Sequence, residues 1–260
     1  MAYFLGIDIG SSTSKAVLLE DSLVAARHIL PSGTNYRAVA ARLADELLEA
    51  AGLGRADVAS TVATGQGAGR VDFADRQVAD IRCCARGIFR VFPQVRTVID
   101  VQGQFTQVLC LSDQGQVTDF AVSEKCASGS GCFLDIIANV LQVKLDDIGR
   151  LSLKSSHPVK FTTGCAVFGE SEAVSRVAEG VPVEDILAGV HVALAEKVAA
   201  LVDKVGLTGK CAMAGGGALD RGLVRRVAER LGVELLVPPE PRFITALGAA
   251  IMAAEAGGVA

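Results

Sequence analysis

Two cysteines each stand at the head of a segment that reads as a helix. Cys126 lies in EKCASGSGCF (residues 124–133) and Cys165 in FTTGCAVFGESE (residues 161–172). A phosphate needs glycine, backbone N–H groups and hydroxyls but no sulfur, so a thiol in a Gly/Ser loop asks for a second chemistry. A helix start offers unpaired N–H groups and the positive end of the helix dipole. That setting favours thiolate over thiol and suits an anionic metal–sulfur centre. The two cysteines are too far apart for a CxxC metal loop. A [4Fe–4S] cluster takes four thiolates, and one chain offers two here. A homodimer, or a heterodimer with a paralogous chain, would offer the rest, since an isologous contact repeats every ligand. The competing reading is two core thiols, or a redox pair within one chain, because free cysteine is among the most buried residue types. Cys132 lies at the same loop–helix junction as Cys126. Cys83, Cys84, Cys110 and Cys211 sit in apolar or strand-like stretches and read as structural. His28, His157 and His191 show no metal-ligand spacing and read as surface or core residues.

Three further turns carry glycines at the ends of apolar runs. GIDIGSST (residues 6–13) puts Asp8 at a strand end, then Gly10, Ser11, Ser12 and Thr13, with Lys15 just beyond. The N–H groups and hydroxyls of such a turn can wrap a phosphate, Lys15 is a candidate phosphate partner, and Asp8 could hold Mg²⁺ through water. VIDVQGQ (residues 98–104) repeats the pattern with Asp100 and Gly103, and Gln104 could orient an attacking water. AGGGA (residues 214–218) would let backbone at Gly215, Gly216 and Gly217 approach an adenosine, since glycine has no Cβ. Gly129 and Gly131, after Cys126, are further phosphate-loop candidates. Taken singly, each turn is also explained as a hairpin, an Asp cap or a strand-to-helix turn. Their recurrence in order along one chain is the stronger signal.

The elements that must position these residues follow from periodicity. Residues 4–9, 15–19 and 23–29 read as a three-strand meander, 36–51 as a helix and 61–64 as a short strand. The pattern then recurs: 95–101, 106–111 and 117–122 read as strands. Residues 133–141, 167–178 and 183–205 read as helices, followed by a strand at 210–213, a helix at 222–231, a strand at 234–237 and a last helix at 243–256. The repetition predicts an α/β fold of two duplicated βββαβα lobes facing each other across a cleft.

Bulk composition excludes several classes. With 260 residues, 50% of them hydrophobic and 21% charged, the chain can bury a full core. A net charge of -4 and no tryptophan argue against nucleic acid as a partner. No run approaches the length a membrane span needs. The start, MAYFLGIDIG, lacks a basic n-region, so a cytoplasmic location is expected, where seven cysteines are more plausibly thiols or metal ligands than disulfides.

With GIDIGSST, ATGQG, VIDVQGQ, EKCASGSGCFLD, TTGCAVFGESEAVS, AGGGA and ALGAA in this order, the chain resembles a known family over nearly its whole length. It is similar to the ATP-dependent activators of 2-hydroxyacyl-CoA dehydratases and to the ATPase subunits of benzoyl-CoA reductase. These belong to the actin, sugar-kinase and heat-shock chaperone superfamily. The cysteine-bearing motifs are the specific part. The resemblance implies an actin-like (ribonuclease H-like) ATPase fold, with residues 1–94 plus 242–260 as one lobe and 95–241 as the other. It implies ATP or ADP with Mg²⁺ in the cleft, and one [4Fe–4S] cluster held by Cys126 and Cys165 of each of two subunits. It implies a ferredoxin or flavodoxin as electron donor and an acyl-CoA reductase or dehydratase component as acceptor. The chain departs from the family where Asp-Ile-Gly-Gly-Gln-Asp is usual: Gln102 replaces a glycine and Phe105 an acid, and Cys84 stands where many relatives have histidine. The segment around Cys165 inclines the resemblance toward the benzoyl-CoA reductase branch. A small-molecule kinase of the same fold, of pantothenate or sugar kinase type, is the alternative, and a filament-forming module a third; both leave Cys126 and Cys165 without a role.

Overall fold

The computed structural model describes residues 1–124, 129–161 and 166–258, so Cys126 and Cys165 lie outside the described residues. The chain divides into two compact units. The first comprises Met1–Val95, Leu111–Thr118 and Arg242–Ala260, and the second Arg96–Cys110 and Asp119–Pro241.

In the first unit, β1 (Tyr3–Ile9), β2 (Thr13–Glu20) and β3 (Leu23–Pro31) form the antiparallel meander. Strand β4 (Val58–Thr64) pairs parallel to β1, and the short β5 (Arg76–Gln77) parallel to β4, giving the order β3-β2-β1-β4-β5. Helices α1 (Tyr36–Ala50) and α2 (Asp80–Val91) and the C-terminal α8 (Ile244–Ala256) cover this sheet. The period-2 alternation of a strand sorts β1 cleanly. Leu5, Ile7 and Ile9 pack with Leu43, Leu47 and Leu48 of α1 on one face, and Phe4 joins the alanines of α8 on the other. Both faces are covered, which is why the strand reads as a continuous apolar run. Helix α1 starts where the Asn35 side chain accepts a hydrogen bond from the Ala38 N–H, as an N-cap should.

The second sheet, most of which lies in the second unit, repeats the topology. Strands β6 (Val95–Val101), β7 (Thr106–Leu111), β8 (Val117–Val122), β9 (Lys210–Ala214) and β10 (Leu235–Leu236) form a sheet in the order β10-β9-β6-β7-β8. Counted from its first strand, each sheet therefore runs third, second, first, fourth, fifth. Helices α3 (Gly131–Val140), α4 (Leu145–Ser152), α5 (Ala166–Ala178), α6 (Val183–Val205) and α7 (Arg221–Leu231) accompany it. Its core joins Ile99, Val101 and Val108 of the sheet to Ile186, Val190, Leu194 and Val198 of α6. Helices α2 and α4 are additions to the elements expected from the sequence. Among the described residues, no helix is long and apolar enough to cross a membrane.

Candidate functional site

Asp8 is the penultimate residue of β1, and Asp100 the penultimate residue of β6. Strand pairing sets Lys15 opposite Asp8 on β2, and Gln107 opposite Asp100 on β7. The same register thus gives each carboxylate a polar partner seven residues on, an ammonium in one unit and an amide in the other.

In the first unit, Lys15 Nζ lies 3.3 Å from Asp8 Oδ2, with side chains only 15% and 10% exposed. Lys15 is therefore directed at the carboxylate and the adjoining turn, not at bulk solvent. A Cβ at Gly10 would come within 2.7 Å of the Thr13 carbonyl oxygen and 3.3 Å of Lys15 Nζ, so a glycine is needed there. Gly65, at φ +84°, follows β4 and backs onto Asp8, where a Cβ would fall on Oδ1. The turn from Gly10 to Thr13 is anchored by Ser32, a residue the sequence did not single out. The Ser32 hydroxyl donates to the Gly10 carbonyl at 2.7 Å and its N–H donates to the Ser12 carbonyl at 3.0 Å. With that hydroxyl hydrogen committed, Ser14 Oγ donates to Ser32 Oγ at 2.8 Å. Beside Asp8 in the sheet, Thr64 Oγ1 is buried and, among the described residues, has no hydrogen-bond partner except a weak contact with the Cys83 thiol. A leftover polar atom next to a carboxylate fits a hydrated Mg²⁺, which keeps several waters.

In the second unit Asp100 is 1% exposed. Its Oδ2 accepts from Gln107 Nε2 at 2.9 Å and from Gln102 Nε2 at 2.7 Å. Gln102, where the family pattern has glycine, therefore supplies a donor to the carboxylate that glycine could not. Gln104 is exposed in the turn that follows. That turn also docks α3: the Gly131 N–H donates to the Gln102 carbonyl at 2.8 Å, and the Cys132 N–H to the Gly103 carbonyl at 2.9 Å. Thr106 Oγ1 donates to the Gly129 carbonyl at 2.7 Å. These first N–H groups of α3 are thus engaged by the protein's own carbonyls, and the turn after Asp100 and the helix after Cys126 form one hydrogen-bonded unit.

The glycine turn at Gly215–Gly217 lies against the end of β6. Gly215, at φ +81°, abuts the Val101 carbonyl, and its N–H donates to the Pro241 carbonyl at 3.0 Å. Gly217 packs on the Val101 side chain, while Gly216 between them is exposed, with nothing within 4 Å of where a Cβ would be. The turn thus presents bare backbone outward while both flanks are fixed.

The described cysteines offer poor metal ligands. Burial pushes the Cys83 and Cys211 thiols up to about 12. Burial, and then the charge of Asp135, raises the Cys132 thiol as well. Cys84 is wholly buried, and among the described residues no group of three or more His, Cys, Asp or Glu is placed to hold a metal.

Residues 5–253 match the model of the BadF/BadG/BcrA/BcrD ATPase family. The chain is 39% identical to the (R)-2-hydroxyglutaryl-CoA dehydratase activating ATPase of Acidaminococcus fermentans, over 96% of each chain. It is 31% identical to a subunit of the benzoyl-CoA reductase of Thauera aromatica, covering 98% of this chain and 94% of the relative. A solved structure of the activator of the 2-hydroxyisocaproyl-CoA dehydratase from Clostridium difficile, with bound ADPNP, superimposes with a TM-score of 0.94 at 36% identity, covering 98% of this chain and 96% of the other. The fold is that of the actin-like ATPases, and the chain belongs to the BadF/BadG/BcrA/BcrD ATPase family.

Proposed function

We propose that this chain is an ATP-hydrolysing electron-transfer subunit that passes a low-potential electron to an acyl-CoA dehydratase or reductase component. The observation that carries the reading is the equivalence of Asp8 and Asp100, each penultimate in the first strand of its unit and each held by the residue opposite it. The turn at Gly10, Ser11, Ser12 and Thr13, with Lys15, would bind the phosphates of ATP, Asp8 would hold Mg²⁺ through water, and Asp100 and Gln104 would orient the attacking water. Gly103 would face the phosphates and Gly215, Gly216 and Gly217 the adenosine. The relative with bound ADPNP supports a nucleotide as ligand.

Cys126 and Cys165, with the same pair from a second copy or a paralogue, would hold a [4Fe–4S] cluster, which supplies one-electron chemistry when bound. The docking of Gly131 and Cys132 on the Gln102 and Gly103 carbonyls gives the nucleotide turn a direct hold on the segment that follows Cys126. Nucleotide can drive the electron only by binding two conformations unequally. A ferredoxin or flavodoxin would supply the electron. The expectation leaning to the benzoyl-CoA reductase branch gains no support from the identities, 39% to a dehydratase activating ATPase against 31% to the reductase relative.

The test is anaerobic purification, with iron content, visible absorption and ATPase rate measured on one sample. Iron at about four per two chains is expected, and Cys126→Ala or Cys165→Ala should abolish it. A colourless protein that phosphorylates a small molecule would establish the kinase reading instead. A second expected result concerns Gly216→Ala. With open space around the position the unfolding free energy should stay within about 0.5 kcal/mol. ATP affinity should nevertheless fall, because the added methyl stands where adenosine would approach; calorimetric titration with ADPNP and Mg²⁺ checks it.

A further inference from the structure

His191 is wholly buried in α6 and has no part in the site as described so far. Its Nε2 lies 2.9 Å from Asp220 Oδ2. An ionised carboxylate only accepts, so the proton of this bond sits on Nε2. Nδ1 is buried and makes no hydrogen bond among the described residues, so the ring is held through Nε2. Asp220 is the residue directly after the helical turn Gly216–Leu219. Its other oxygen, Oδ1, accepts from the Leu223 N–H at 3.0 Å and caps α7, and its own N–H donates to the Gly217 carbonyl at 3.2 Å. Two glycines leave room for this arrangement. A Cβ at Gly149 of α4 would fall on Asp220 Oδ1, and one at Gly222 would strike Ser152 Oγ and the His191 ring. Three helices therefore converge on one carboxylate, and that carboxylate ends the third glycine turn.

We propose that His191 is a positioning residue for the nucleotide: by holding Asp220 Oδ2, it fixes the downstream end of the Gly215–Leu219 turn and so the exposed backbone at Gly216. The upstream end is already fixed by Gly215 on the Val101 carbonyl and by Gly217 on the Val101 side chain. With both ends set, the backbone at Gly216 is preorganised, and ordering it costs less binding energy. Released from His191, Asp220 still caps α7, but its side chain is fixed by one bond instead of two. The proposal rests on the reading of Gly215–Gly217 as the adenosine turn.

Three variants test it. In His191→Gln the side-chain amide reaches the place of Nε2 and can donate to Asp220. His191→Met fills similar volume with no donor. Asp220→Ser keeps a good N-cap but is too short to reach His191. Binding of ADPNP with Mg²⁺ is titrated calorimetrically, beside thermal unfolding of each protein. His191→Met and Asp220→Ser are each expected to weaken binding about tenfold, the scale of one lost charge-assisted hydrogen bond. His191→Gln should stay within about twofold of the parent, and the His191→Met/Asp220→Ser double variant should be no weaker than either single one. Lower unfolding temperatures with unchanged ADPNP affinity in both variants would make His191 purely structural and overturn the proposal. Should His191→Met fail to fold, Asp220→Ser alone decides between these outcomes. A parent protein that binds no ADPNP overturns the reading of the turn itself, a result distinct from equal binding by parent and variants.

Discussion

Asp100→Asn is expected to lower ATP hydrolysis about 10²-fold, the scale of removing one preorganised electrostatic group from a reaction centre, while leaving the fold intact. The substitution is nearly isosteric. Oδ2 of Asp100 accepts from two amides, Gln102 Nε2 and Gln107 Nε2, and the oxygen of an asparagine can accept both. What is lost is the charge, and with it the attraction proposed for Mg²⁺ or for the proton of an attacking water. Nucleotide binding should change far less than turnover, since the turns proposed to hold phosphate and adenosine keep their glycines. Single-turnover hydrolysis with a parallel melting curve separates the effects. Turnover within threefold of the parent would remove Asp100 from the reaction. The companion change Gln102→Gly, which installs the residue usual in the family, deletes one donor to Oδ2. It should cost less, because Gln107, directly opposite in the sheet, keeps its own bond.

Much of this arrangement is legible in the sequence. The repeated apolar strand ending in Asp, at Asp8 and Asp100, announces the duplication, because a strand buried on both faces spells itself out as an unbroken apolar run. Their partners are harder to read. Lys15 is visible as a cation near a turn, but Gln107 sits in a strand of otherwise apolar and small residues, and only the cross-strand register reveals that it faces Asp100. Ser32 acts at a distance of 22 residues on the Gly10 carbonyl, beyond any local spacing rule. Gln102 stands out as a departure from a family pattern, while its donor role depends on where its amide points. Helix α2 escapes a sequence reading for a different reason. Its buried face is Cys83, Cys84, Ala85, Gly87 and Ile88, set at helical spacing against Arg82, Arg86 and Arg90; the helical period is present in the sequence, but cysteine and glycine are weak helix formers. Helix α4 is eight residues long with Gly149 inside it, which weakens any helical signal; that glycine makes sense only once Asp220 is seen against it.

The small residues of α2 and α8 lead to the other large expected effect: Gly248→Val should destabilise the protein by at least about 3 kcal/mol, the upper part of the usual overpacking range. Helix α8 is packed backbone to backbone on two sides. A Cβ at Gly248 would fall on the Cys83 carbonyl of α2, and one at Gly87 of α2 would fall on the Ile244 carbonyl of α8. On the strand side, a Cβ at Gly6 of β1 would strike the Ala246 carbonyl and the Ala250 N–H. A flexible side chain could rotate away from such a collision, whereas a carbonyl inside a helix cannot move without breaking its own hydrogen bonds. Two terms compete. Removing a helix-interior glycine gains at most about 1 kcal/mol of helix propensity, and valine gains less than alanine. Prying α8, whose Ala246, Ala249, Ala250 and Ala253 are fully buried, away from its neighbours opens apolar surface along the contact, so the collision wins. Against a total stability of about 5–15 kcal/mol, the loss is large enough to shift a urea unfolding midpoint well outside error. Gly216→Ala, in open space, is the matched control. Equal midpoints for Gly248→Val and the parent would mean that α2 and α8 are not in backbone contact, and the reason for the glycines in ALGAA and at Gly87 would have to be sought elsewhere.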